Sequence, residues 1–224
     1  MSKIILHQWE ISPYCTKVRK LLAFKGCSFE VVNYNGLRAR KAAALSGVGK
    51  LPVLDHQGTM VQDSSRIARF LEQTYPQPSL YPQSEADRAR AHLYEDWADE
   101  SLYWYEVYFR FSYPRAFGLA VDHLCEGRPA LEKWLFRLIV TPMYRKKLAA
   151  QGIGRQSAEQ VEAEFGKHLV ALNTLLGEHE FLLGDVPCIA DIAVAAQLEE
   201  ILRTSHLKDQ ILAHPNLARM LNAL

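Results

Sequence analysis

The sequence has no apolar run approaching the roughly 18 consecutive residues that a membrane span requires, so no membrane partner is expected. Its opening stretch, MSKIILHQWE, turns polar too soon for a secretory leader, which makes a cytoplasmic protein the expectation. Charge of one sign is also lacking. Against 25 Asp and Glu stand 26 Lys and Arg, a formal net charge of +1, so a basic nucleic-acid surface is not expected. Four cysteines, Cys15, Cys27, Cys125 and Cys188, are too few and too scattered for a disulfide framework. Neither they nor the eight histidines fall into paired ligand spacings, so no metal is expected. Repeats and low-complexity tracts are absent. What is present is 224 residues, 49% of them hydrophobic, enough for one large core or two small ones.

Charge and pattern both divide the chain. Residues 1–84 hold 11 Lys and Arg against 5 Asp and Glu, and residues 85–224 hold 15 against 20, so the first part is the one suited to a small anion. There, short apolar runs alternate with helix-like segments. Residues 3–8, 29–34, 51–55 and 59–62 read as strands, and residues 12–25, 38–45 and 63–74 as helices. The order β-α-β-α-β-β-α opens as a βαβ unit and closes with a hairpin and a covering helix. Residues 75–84 carry three prolines and read as a linker. Beyond it, residues 85–125, 128–151, 157–176 and 191–204 show a 3.6-residue period without strand signals. The expected organisation is a first domain over 1–76, a linker over 77–84 and an all-helical domain over 85–224.

Three short motifs carry chemistry, and each has an ordinary structural use as well. Ser12-Pro13-Tyr14-Cys15 stands where the first strand meets the first helix, among unpaired amides that stabilise an anion such as a thiolate. Ser12 followed by Pro13 is equally a plain helix cap. Gly49-Lys50-Leu51-Pro52-Val53-Leu54 puts a proline ahead of a strand, leaving the preceding backbone to pair with an extended peptide, or simply marking a strand edge. Gln62-Asp63-Ser64-Ser65 gathers a carboxylate and hydroxyls at a helix start, which suits a ligand with both an ammonium and a carboxylate. A helix cap is the alternative there too.

In this order and spacing, with the proline-rich linker and a helical domain after them, these motifs resemble the cytosolic glutathione transferase family. Gly184-Asp185-Val186-Pro187-Cys188-Ile189-Ala190-Asp191 is similar to that family's buried capping box, with Cys188 where a hydroxyl residue usually stands, and Asp191 is assigned to folding. The resemblance spans essentially the whole chain and implies a thioredoxin-like N-terminal domain followed by a helical-bundle domain, with Pro52 in the cis form. It implies glutathione as co-substrate, with Leu51 pairing its backbone with the cysteinyl part, Asp63 and Ser64 holding the γ-glutamyl end, and Lys50 near the glycyl carboxylate. Arg38, Arg40 and Lys41 are further cations for that carboxylate, or form a solvated basic face.

Ser12 occupies the position that the redox-active relatives give to cysteine, which implies a serine-type transferase: the hydroxyl stabilises the glutathione thiolate for attack on an apolar electrophile. Cys15 matches their second cysteine, and burial would leave it inert. Tyr14, Tyr105 and Tyr108 are the expected electrophile pocket, drawn from a run of aromatics too dense for one helix face. Family likeness also implies a homodimer and a role in detoxification. Residues 30–41 and 152–157 are similar to the glutaredoxin-like prostaglandin synthase and metaxin-like branches. The alternatives are therefore a glutathione-dependent isomerase similar to the zeta branch, a thiol-disulfide reductase using Cys15, and a non-enzymatic interaction module.

Overall fold

The computed structural model describes residues 3–224, apart from the side chain of Ala43. The chain divides into two compact units. The first holds the described residues up to Leu80 together with Val121–Arg137; the second holds Tyr81–Ala120 and Leu138–Leu224.

The first unit is built on four strands, β1 (Ile4–Gln8), β2 (Glu30–Asn33), β3 (Val53–His56) and β4 (Thr59–Gln62), in the order β2-β1-β3-β4. β2 runs parallel to β1, and β3 runs antiparallel to both β1 and β4. Helices α1 (Pro13–Phe24) and α3 (Ser64–Thr74) pack on each other and bury Val18, Leu21, Leu22, Ile67 and Leu71, with Leu6 and Leu54 buried from the sheet. This is the thioredoxin-like arrangement that the pattern predicts. One segment differs: where a helix over 38–45 is expected, a 3₁₀ turn runs over Gly36–Lys41 and α2 is only Ala42–Leu45. A contact from far along the chain explains the difference. The Glu132 carboxylate accepts the Leu37 N–H at 2.9 Å and crowds Gly36, whose φ of +60° and missing Cβ both suit the approach.

Beyond Leu80 the chain is helical, as predicted, but its first long helix is broken. α4 (Glu85–Trp97) passes through a π-helical turn at Ala98–Leu102 into α5 (Tyr103–Ser112), and α6 (Pro114–Leu124) starts anew. The residue before a proline is pushed out of the helical region, and Tyr113 before Pro114 sits at φ −104°, ψ 123°. α7 (Ala130–Gln151), α8 (Ala158–Leu176) and α9 (Ile189–Thr204) match the expected segments, and α10 (Lys208–Leu212) and α11 (Pro215–Ala223) follow them.

α9 is the buried centre, and its start is pinned by Asp191. That carboxylate accepts the Cys188 N–H at 2.9 Å and the Leu182 N–H at 2.7 Å, so the folding role assigned to it is carried by two buried backbone bonds. Cys188 Sγ lies 3.2 Å from the same carboxylate, and burial together with that charge pushes the thiol up to about 12. Asp191→Ala leaves two buried N–H groups without acceptors and should cost about 2–4 kcal/mol in chemical denaturation. Cys188→Ser should stay near wild type, since a hydroxyl suits the cap. A loss under about 1 kcal/mol for Asp191→Ala contradicts this account.

Candidate functional site

Strand register brings the three motifs to one end of the sheet. Val53 lies opposite His7 on β1 and opposite Gln62 on β4. The end where β1 leaves toward Ser12 is therefore also where Pro52 delivers β3 and where β4 runs into Asp63 and Ser64. Side chains tie these segments together. Cys15 packs with Leu51 and Val53, and the buried Lys17 of α1 donates to Ser65 Oγ on α3 at 3.2 Å.

Ser12 occupies the cap position of α1 in an extended conformation, with Pro13 behind it at the first helical position. Its N–H donates to the Trp9 carbonyl at 3.1 Å and its carbonyl accepts the Thr16 N–H at 2.8 Å. Its hydroxyl caps no helix amide. The plain-cap alternative holds for the backbone, since Ser12 is the cap residue of α1 with Pro13 after it, but the half-buried side chain takes no part in holding that helix. Arg19 does the holding, a role the sequence did not suggest. Its guanidinium donates to Gln8 Oε1 at 2.6 Å, to the Glu10 carbonyl at 2.9 Å and to Thr16 Oγ1 at 2.6 Å, bracing the loop on both sides of Ser12.

Cys15 has no solvent exposure; its cluster comprises Ala42, Leu51 and Val53, with Trp9, Tyr34 and Leu45 packed around them. The Leu51–Pro52 peptide bond is cis. The β1–β3 ladder begins at Val53, so the backbone of Leu51 lies outside it. Lys50 is exposed, and its backbone is clamped by the Ser46 hydroxyl, which accepts the Lys50 N–H and donates to the Lys50 carbonyl, both at 3.1 Å.

At the third motif the cap alternative holds for Asp63, whose Oδ1 accepts the Arg66 N–H at 3.0 Å. Asp63 also takes a φ of +77°, a conformation that costs a non-glycine residue on the order of 1 kcal/mol and that clusters at ligand sites. Ser64 is buried beside it. Gln62 stands in this motif without a role assigned from the sequence. Its buried Oε1 has no hydrogen-bond partner among the described residues, an acceptor left open next to Asp63.

The aromatic residues divide between the units. Tyr14 lies half-buried on α1 in the first unit. Tyr105 and Tyr108 lie on α5 in the second, where Tyr105 packs against Phe109, Phe165 and His168, and Tyr108 against Phe109 and Tyr113. A cavity of about 410 Å³ in the second unit lies between α4 and α8, lined by Leu93, Tyr94, Trp97, His168, Leu172 and Leu175. None of the residues predicted for the site borders it.

Two family models match the chain: the glutathione S-transferase N-terminal domain over residues 6–79 and the glutathione S-transferase C-terminal domain over residues 165–224. The chain belongs to the glutathione S-transferase family. It is 28% identical over 215 residues to the Drosophila melanogaster protein Failed axon connections, covering 92% of this chain but only 49% of that one. It is 29% identical over 208 residues to isoprene-epoxide–glutathione S-transferase of a Rhodococcus species, covering 86% and 81% of the two chains. A solved glutathione S-transferase from Methylobacterium radiotolerans, in complex with glutathione sulfonate, is 26% identical with a TM-score of 0.64, covering 99% of this chain and 89% of that one.

The helical unit of this glutathione S-transferase family member buries charge beside its aromatic run. Arg110 pairs with Glu106 and lies 3.3 Å from Glu200, which Arg203 meets at 3.2 Å. Complete burial, with Glu200 close by, pushes the Glu106 carboxyl up to about 7 in spite of Arg110. A carboxyl raised in the folded state gives stability that is full below its unfolded pKa and lost as pH rises through the folded one. Relative to Glu106→Gln, the wild-type protein should lose about 2–3 kcal/mol of unfolding free energy between roughly pH 5 and pH 8. Parallel stability profiles for the two proteins would remove this assignment.

Proposed function

We propose that this chain is a glutathione transferase in which the Ser12 hydroxyl donates to the glutathione sulfur and holds it as the thiolate for attack on an apolar, electrophilic carbon. The observation that carries this reading is a serine at the start of α1 whose hydroxyl caps no helix amide, where the helix amides and dipole also favour a negative sulfur. The energies are of the right size. Lowering a thiol pKa by about two units takes roughly 2.7 kcal/mol, and one hydrogen bond to a charged group supplies about 1.5–3 kcal/mol. The sulfur lone pair forms the new S–C bond as the electrons of the bond it displaces pass to the leaving atom. In an epoxide, the electrophile in the Rhodococcus relative's name, that atom is the ring oxygen.

The other motifs supply the grip. The backbone of Leu51, outside the ladder, pairs with the cysteinyl part of glutathione, and Lys50 serves the glycyl carboxylate. At the γ-glutamyl end, the open Oε1 of Gln62 and the Asp63 carboxylate accept from the ammonium group, while Ser64 and the first amides of α3 meet the carboxylate. Tyr14, half-buried one residue beyond Pro13, borders the electrophile. The reductase alternative finds no support in the buried position of Cys15, which no disulfide partner reaches without opening the cluster around it.

Ser12→Ala should lower kcat/KM for glutathione conjugation of chlorodinitrobenzene or an epoxide by about tenfold to a hundredfold at neutral pH, with little change in KM for glutathione. The remaining rate should rise with pH toward the range of a free thiol. Cys15→Ser should keep most of the activity. Full activity in Ser12→Ala, or activity lost only on changing Cys15, would overturn the assignment.

A further inference from the structure

Residues 34–52 carry the chain from β2 to β3, and they bring Lys50 and Leu51 with them. The stretch has little regular structure of its own: the Gly36–Lys41 turn and the four residues of α2, a helix too short to hold itself. Its later part is fastened locally. Ala42 and Leu45 pack with Cys15, Leu51 and Val53, and the Ser46 hydroxyl grips the Lys50 backbone. Its entrance, Asn35–Leu37, is fastened from elsewhere.

The fastening comes from Val121–Arg137, which belongs to the first unit although Tyr81–Ala120 intervenes. The Glu126 carbonyl accepts from Asn35 Nδ2 at 3.0 Å, and Glu132 Oε1 accepts the Leu37 N–H at 2.9 Å. Arg128 holds the other carboxylate oxygen of Glu132, donating from Nε at 2.9 Å and from Nη2 at 2.6 Å. The Arg128 bonds, with the Leu37 N–H and the charge of Arg38, hold the Glu132 carboxyl below the usual carboxylate range. A side chain at Gly36 would run into Glu132 Oε1, so the turn and the carboxylate are fitted to each other. Glu126, Arg128 and Glu132 stand in none of the motifs assigned to glutathione.

We propose that Glu132 is a positioning residue of the glutathione site: its carboxylate, oriented by Arg128, fixes the entrance of residues 34–52 and through them the placement of Lys50 and Leu51 against the tripeptide. This inference rests on the transferase reading above. It places the effect on affinity rather than on the chemistry, because the loop around Ser12 is braced independently by Arg19 and by main-chain bonds.

Calorimetric titration with glutathione, together with conjugation kinetics on chlorodinitrobenzene, tests this. Glu132→Ala should raise both Kd and KM for glutathione about tenfold, while kcat at saturating glutathione stays within about twofold of wild type. Glu132→Gln keeps an oxygen that accepts from Leu37 and should return to within about threefold of wild type. Gly36→Ala should also weaken glutathione about tenfold, and clearly less than that when added to Glu132→Ala. Lys133→Gln, which loses only the ion pair with Asp122 at 3.1 Å, should bind as wild type does. If Glu132→Ala fails to fold, Glu132→Gln and Gly36→Ala decide. The positioning role is overturned by an unchanged Kd in Glu132→Ala and Gly36→Ala, by a loss that falls on kcat instead of KM, or by full multiplication of the two effects in the double variant. Those results leave the transferase reading standing as long as the wild-type protein binds glutathione. A wild-type protein that does not bind it overturns that reading, and this inference with it.

Discussion

The pairing of β3 with β1 and β4 is the constraint on which the first unit's chemistry depends. With Val53 opposite both His7 and Gln62, one end of the sheet collects the loop before α1, the cis Leu51–Pro52 bond and the start of α3. A slip of one residue would turn the buried side chains of β3 to the other face. Leu6 and Leu54, paired across the ladder and both without solvent exposure, oppose such a slip. The register is thus held by hydrophobic burial, while the polar groups of the site stand at its end and contribute little to holding it.

That separation explains how Ser12 and Asp63 come to differ, although both stand at helix starts. The loop around Ser12 is fixed by main-chain bonds and by the three-way grip of Arg19, so its hydroxyl is left out of the cap. Asp63 caps α3 itself and does so from a strained backbone, with one carboxylate oxygen committed to Arg66. A carboxylate with two oxygens and several lone pairs can cap and still accept a second donor.

Much of this was legible in the sequence, because the signals are local. Alternation marks the strands, the 3.6-residue period marks the helices, and the three motifs stand at their ends. What was not legible depends on contacts between distant residues. The Gly36–Lys41 turn owes its form to Glu132, which lies 95 positions beyond the amide it accepts. The brace supplied by Arg19 and the open Oε1 of Gln62 appear only once neighbours in space are known. The break before Pro114 is a different case, since the proline was there to be read. Helical period on either side of it masked the stop.

Position 15 shows how packing, rather than residue type, decides which chemistry a motif can support. A cysteine three residues after Ser12 has the spacing of a resolving thiol, and sequence alone leaves both roles open. For thiol exchange, its sulfur would have to reach a disulfide sulfur in line and as a thiolate. In the fold it is enclosed by Ala42, Leu51 and Val53, the last two flanking Pro52 where the cis bond leads into β3. Freeing the thiol would therefore disturb the backbone that the reading assigns to the cysteinyl part of glutathione. A redox role for Cys15 and a peptide-binding role for Leu51 would thus compete for one piece of structure.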